Sequence, residues 1–244
     1  MSISASYKHV LKLQFFRQAG FISVFVTMIM VIISLGVAIG FTYIHGDPDG
    51  YTTLFLATAA PTIVCIMTGL VLLPTQNVSA KSAGYTEFLR TLPVNRVAII
   101  LADATIWTLA TIPGIIIALV VTHFMFGPGF EISIWALPAY LLVVLTCIVV
   151  GYGYSFALPA GPAMTISQVL AFAALMFSPI NFPADRLPTW LQIVHRVLPI
   201  ESMAEIMRAA LAGSVFEVSI FSVAKVIAWC VGGLAVSVWV LNRK

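Results

Sequence analysis

The sequence predicts an all-α membrane protein, a single domain over residues 1–244 built from six transmembrane helices. Three observations predict it. The chain is 61% hydrophobic and 9% charged with a mean hydropathy of +1.06, whereas soluble domains devote roughly a quarter of their residues to charge. Its apolar residues fall in stretches of about 20 or more, the length that crosses a hydrocarbon core as a helix with every backbone group satisfied internally. The few charged residues are sorted, basic ones into one set of connecting segments and acidic ones into the other.

The N-terminal stretch, residues 1–19, places Lys8 and Lys12 one helical turn apart among Tyr7, Val10, Leu11 and Phe15. This pattern predicts a basic amphipathic helix along the membrane surface, its apolar residues dipping into the acyl boundary. It lacks the short apolar core and small-residue cleavage site of a signal peptide. The first span is predicted over 20–44 and ends at HGDPDG, a polar turn. The second covers 51–74. The polar segment AKSAGYTEFLRTLPVNR follows, with a helix predicted over 80–92: Gly84 allows the turn that begins it, and Pro93 ends it at or before Leu92.

The third span, 97–126, is about 45 Å long at the helical rise and exceeds the core. Its first turns, with Asp103, are therefore expected near headgroup water, and Pro113 is expected to kink it. GPGFE leads to the fourth span, 132–158, PAGP to the fifth, 163–182, and the sixth covers 219–241. Between the last two, residues 184–213 predict a re-entrant helical hairpin. Pro188 suits a first turn, after which Trp190, Ile193, Val194 and Val197 share one face. Pro199 interrupts the pattern. Ile200, Met203, Ala204, Met207 and Leu211 then oppose Glu201, Glu205 and Arg208, with Glu205 and Arg208 spaced to pair, and Gly213 can stop the helix. The hairpin is expected to lie in or dip into the outer leaflet as a lid.

Six spans put both termini on one side. With the termini in the cytoplasm, the inner segments hold eight basic residues (Lys8, Lys12, Arg17, Lys81, Arg90, Arg96, Arg243 and Lys244) against Glu87 and Asp103. The outer segments hold Arg186, Arg196 and Arg208 against seven acidic residues, Asp47, Asp49, Glu131, Asp185, Glu201, Glu205 and Glu217. This sorting follows the positive-inside rule and places residues 80–96 in the cytoplasm.

Searches for chemistry exclude more than they find. No GxxxxGK[ST] loop exists to cradle nucleotide phosphates, and HExxH and GxSxG are absent. His9, His45, His123 and His195 are scattered without ligand partners at helical spacing and read as solvated; Cys65, Cys147 and Cys230 read as packing residues in separate spans. No metal site is expected. Glu201 and Glu205, one turn apart, are the only carboxylate pair that suggests acid/base catalysis, and a membrane enzyme using them is the alternative from another class.

Together these parts resemble the permease subunit of an ABC-2 type ABC transporter, the type V exporter fold. GYTEFLRTLPVNR is similar to that family's coupling segment through Gly84, Glu87, Leu89, Pro93 and Arg96, although Tyr85 stands where the family commonly has Thr. FPADRLPTWLQIVHRVLPIESMAEIMRAAL is similar to its second signature, with Leu198 before the proline where Asn or Asp is common. The resemblance implies no catalysis in this chain. It implies two copies of a separate cytosolic ATPase, carrying ATP and Mg, docked on Lys81, Gly84, Tyr85, Glu87, Phe88, Arg90, Pro93 and Arg96. A second permease, identical or related, would complete a pathway for a hydrophobic or amphipathic drug-like cargo, with a peptide or lipid cargo, including bacteriocin self-immunity, as the alternative. Phe172, Met176, Phe177 and Asn181 are the expected cargo-facing residues, and Trp190, Pro199, Glu201, Glu205 and Arg208 the outer gate. A bacterial plasma membrane and its lipid are implied, and no nucleic acid.

Overall fold

The computed structural model describes residues 3–20, 50–91, 93–127 and 129–242, with isolated positions between 26 and 40. The predicted first span is described only in part, at Gly20 and at isolated positions from 26 to 40, and the HGDPDG turn lies outside the described residues except for Gly50.

A chain whose apolar stretches admit few breaks folds into long helices. α1 covers Ile3–Gly20. α2 runs Gly50–Ser82 and contains Pro61 and a π-helical turn at Thr68–Leu72. It therefore continues well past the predicted end at 74, because Pro74 falls in the first turn after the π-helical turn, where its missing N–H costs little. A short α3, Tyr85–Thr91, follows. α4 spans Arg96–Phe126; the Asn95 side chain caps its start by accepting from Val97 N, and Gly127 at φ 55° ends it. α5 is Ala136–Ala157 and α6 Ala160–Met176. The segment between α6 and the last helix forms α7, Thr189–Val197, and α8, Ile200–Leu211, and α9 is Ile220–Asn242.

Four of these helices, α2, α4, α5 and α9, are long and apolar enough to cross a membrane. The chain is an all-helical integral membrane protein. α6 is shorter, and the predicted fifth span stops at Met176 instead of 182, where Pro179 turns the preceding backbone away from helix. Residues 132–135, predicted as the start of the fourth span, instead run with Glu131 beside the end of α8: Glu131 N donates to Leu211 O and Ser133 N to Ala210 O, each at 3.0 Å, satisfying last-turn carbonyls of that helix.

The bundle closes on backbone contacts. A Cβ on Gly151 of α5 would lie 2.0 Å from the Gly69 carbonyl oxygen of α2, and one on Gly69 would lie 2.4 Å from Cys147 Cβ. Only glycine lets the helices meet this closely. The register then runs on through Asn77 Nδ2 to Ser155 Oγ at 3.1 Å and Lys81 Nζ to Leu158 O at 3.0 Å, so α2 and α5 are parallel. α9 lies parallel to both, with Gly233 against Val149 and Val150 and Ser237 Oγ donating to Val149 O at 2.8 Å. α4 runs the opposite way, its Thr111 hydroxyl 2.6 Å from that of Tyr140.

α2 is the central helix, with 94% of its most apolar stretch buried, whereas α9 has 11% buried and faces the surroundings. Among the described residues, Trp107, Tyr152, Ile148 and Met203 are large, fully buried side chains of the surrounding helices, and Leu56, Ile63 and Ile66 are among those of α2 itself. Because α2, α5 and α9 are parallel, their C-termini meet at one end of the molecule, beside Lys81 and α1. Glu131, Glu201, Glu205 and Glu217 gather at the other.

The Gly69–Gly151 contact is testable. Gly151→Val overpacks the crossing and is expected to destabilise the purified protein by about 1–3 kcal/mol. The thermal unfolding midpoint in detergent should fall; an unchanged midpoint would show that the two backbones are not in contact.

Candidate functional site

At the basic end, the polar segment after α2 takes a defined shape. Ala83 and Gly84 form a turn, and Gly84 has φ 78°, the left-handed region that a side chain disfavours. That turn stops α2 and projects α3 as a separate helix. Glu87 sits exposed in its first turn, where the helix dipole favours a carboxylate. Phe88 is exposed beside it, its ring 6.0 Å from that of Tyr85. Pro93 is exposed in the link to α4; Arg90 lies within α3 and Arg96 opens α4. Lys81 stands apart from this surface and is held on the Leu158 carbonyl.

The other face of α3 is fastened down. Tyr85 and Val94 pack against a small cluster of Val10, Ile99 and Ala102. The Arg17 guanidinium of α1 lies over the Tyr85 ring at 4.1 Å from its centroid, a cation–π contact. Burial pushes the Tyr85 phenol above its usual range, with Arg17 opposing the shift. Arg17 Nη2 donates to Gln14 Oε1 at 2.8 Å, Gln18 Nε2 donates to the same oxygen at 3.1 Å, and Gln18 Nε2 also donates to Asp103 Oδ1 of α4 at 2.9 Å. The Tyr7 hydroxyl is 2.9 Å from that of Thr105. A continuous set of contacts thus runs from α3 through α1 into α4.

These contacts correct two expectations. Asp103 is buried, not near water, because Gln18 supplies a donor that makes burial affordable. α1 turns Tyr7, Val10 and Leu11 toward α4 rather than into lipid, leaving Leu13, Phe15 and Phe16 as its exposed apolar residues.

At the opposite end, Arg208 is buried, not on a wet helix face paired with Glu205 alone. Its Nη2 donates to the carbonyls of Pro179 (3.1 Å) and Ile180 (2.7 Å), and its guanidinium lies 3.6 Å from the Phe55 ring centroid. Burial lowers Arg208 to about 10, with Glu205, Tyr51 and Glu201 opposing. It joins α8, α2 and the end of α6 in one contact. Glu205 accepts from Ser222 Oγ of α9, and Glu201 is half-buried beside it. Tyr51, Phe55 and Phe216 form an aromatic cluster with centroids 5.2–6.3 Å apart, and with the two glutamates and Arg208 they line a cavity of about 230 Å³.

Pro199 is buried at the α7–α8 joint. α7 buries Leu191 and His195, four residues apart, whereas Trp190, Ile193, Val194 and Val197 are exposed. His195 is therefore not solvated; its Nε2 lies 2.9 Å from the Phe177 carbonyl.

The family model of the ABC-2 type transporters matches residues 5–212, from α1 to the end of α8. The chain belongs to this family. It is a membrane component of an ABC transporter, and such permeases pair with an ABC ATPase. No curated protein matches the sequence.

Within the permease, Phe172, Met176 and Phe177 are all exposed, and Val169 joins Phe172 and Met176 on one face of α6. Asn181 does not share that surface: it is buried, and its Nδ2 donates to Leu175 O at 3.0 Å. Arg17, Gln14, Gln18, Tyr51, Phe55 and Phe216 were not singled out from the sequence. Gln14 and Gln18 at i, i+4 on the apolar side of α1 are a signal that reading by charge alone overlooks.

Gln18→Leu leaves the Asp103 carboxyl buried without its donor and is expected to cost about 1–3 kcal/mol. Asp103→Asn with Gln18 intact should cost less. Thermal unfolding of the detergent-purified permease measures both, and equal midpoints for wild type and Gln18→Leu would contradict the contact.

Proposed function

We propose that this permease is the membrane half of an ATP-driven exporter, and that α3 is the handle by which a separate cytosolic ATPase moves it. The observation that carries the proposal is the projection of α3 by the Gly84 turn, with Glu87 and Phe88 exposed on one side and Tyr85 fastened to α1 on the other. An exposed ring flanked by charge suits a docking surface, the ring supplying affinity and the charge orientation. The positive-inside sorting of basic residues supports a cytoplasmic position for this surface and for both termini.

On ATP-driven closure of two ATPase copies, displacement of α3 would be carried into α1 through Tyr85 and Arg17, and into α4 through Gln18 and Asp103. α2, continuous from Tyr51 to Ser82, would carry the same displacement toward the outer contact at Phe55 and Arg208. Release of Arg208 from Phe55 and from the Pro179 and Ile180 carbonyls would free α8 as an outer gate, with Trp190 exposed on the adjoining α7. The apolar residues Phe172, Met176 and Phe177 support a second permease facing this one across a pathway for a hydrophobic or amphipathic, drug-like cargo.

Glu87→Ala is expected to uncouple the assembled transporter: ATP hydrolysis persists while cargo movement into vesicles falls. Phe88→Ala should weaken ATPase binding by about 30-fold, near 2 kcal/mol. Normal coupled transport in Glu87→Ala together with unchanged ATPase affinity in Phe88→Ala would contradict the proposal.

A further inference from the structure

A cavity of about 540 Å³ forms an open groove between α5 and α9. Its walls include Val150, Tyr154, Leu158, Trp229 and Val236, and Gly232 and Gly233 line it on the α9 side. From Val150 to Leu158 it extends along the helices for about 12 Å at the helical rise. The helices touch at its floor, where Gly233 meets Val149 and Val150, but they leave the groove open on the face that α9 turns outward. Along that face Val231, Val236 and Trp239 are exposed. α5 and α9 are both helices long and apolar enough to cross the membrane, so the groove opens toward bilayer.

The groove also has a charged end. Leu158, at its limit, accepts from Lys81 Nζ through its carbonyl at 3.0 Å. Lys81 is only half-buried, and an ammonium has three donors, of which this bond uses one. The parallel sense of α2, α5 and α9 brings Lys81, Leu158 and the C-terminus of α9 to the same end, and Arg243 and Lys244 follow α9 in the sequence. An apolar groove that ends at a cation within the basic end of a membrane protein is complementary to an anionic lipid.

We infer that the groove between α5 and α9 holds one anionic phospholipid of the surrounding bilayer, an acyl chain lying between Trp229 and Leu158 and the phosphate at Lys81. The basis is apolar walls for the chain and electrostatic attraction for the headgroup. The site is on the outside of the bundle and distinct from the exposed α6 surface. It needs no assumption about the transported cargo.

Gly232 provides a clean probe. A Cβ there meets no heavy atom within 4 Å, so a larger side chain enters the groove without displacing the helices. Gly161, equally open but outside the groove, is the control. The intact full-length transporter, purified in mild detergent, is titrated with phosphatidylglycerol and phosphatidylcholine of the same acyl chains, and bound lipid is counted by native mass spectrometry. Wild type and Gly161→Leu are expected to retain phosphatidylglycerol over phosphatidylcholine by about fivefold, the effect of one lysine at a membrane surface. Lys81→Gln, which keeps a donor for Leu158, should bind both lipids equally. Gly232→Leu should lose the tightly held lipid of either headgroup. A phosphatidylglycerol preference that survives Lys81→Gln, or lipid retention that survives Gly232→Leu, overturns the inference. Retention lost equally in Gly161→Leu overturns it as well.

Discussion

The permease depends on two helices touching at their backbones. Where α2 crosses α5, the Gly69 carbonyl occupies space that any side chain on Gly151 would fill. In a membrane, with no gain from hiding apolar surface from lipid, association rests on packing and on hydrogen bonds between helices, and small residues make the closest packing possible. The crossing also fixes alignment. Once Gly69 meets Gly151, Asn77 reaches Ser155 and Lys81 reaches Leu158, and the C-terminus of α2 is placed beside that of α5. The Gly84 turn then presents α3 from a fixed base. The π-helical turn Thr68–Leu72 sits at the same crossing, an interruption of a kind often found at functional positions.

α2 consequently links two very different surfaces. One end leads into α3, whose outer side is exposed and whose inner side is clamped by Arg17. The other end carries Tyr51 and Phe55, where the buried guanidinium of Arg208 holds α8 against α2 and the turn after α6. Each clamp is a cation against an aromatic ring, backed by hydrogen bonds. Arg208 is buried, so breaking its contact leaves a costly unpartnered cation, whereas Arg17 is exposed and its contact is the weaker of the two. This arrangement suits two discrete positions more than gradual deformation.

Much of this was legible in the sequence where hydropathy and charge are the cause. The helices α4 and α9 follow from long apolar runs, and the turn at Gly84 from glycine and proline punctuation around charged residues. The clamps were not legible. Gln18 and Asp103 are 85 residues apart, and nothing local in either predicts that one satisfies the other. Arg208 stands among glutamates on a helix that reads as amphipathic, yet its partners are carbonyls of Pro179 and Ile180 and a ring on α2. His195 was misread for the same reason, since its neighbour is the Phe177 carbonyl. Burial of a polar side chain is decided by the partner that tertiary packing delivers, and a reading along the chain sees only the side chain. The run of α2 past residue 74 is not marked by hydropathy, since the residues after Pro74 are polar, and Pro74 itself falls where its missing N–H is tolerated.

The central claim is that α3 is the surface on which the ATPase docks, and site-specific photo-crosslinking in the assembled transporter tests it most directly. A photoreactive residue is placed at Phe88, exposed on α3, and in a second protein at Phe124, exposed near the far end of α4. Covalent capture of the ATPase from position 88 and not from position 124 is the predicted result. Capture from 124, or from neither position in a complex that hydrolyses ATP, would contradict it.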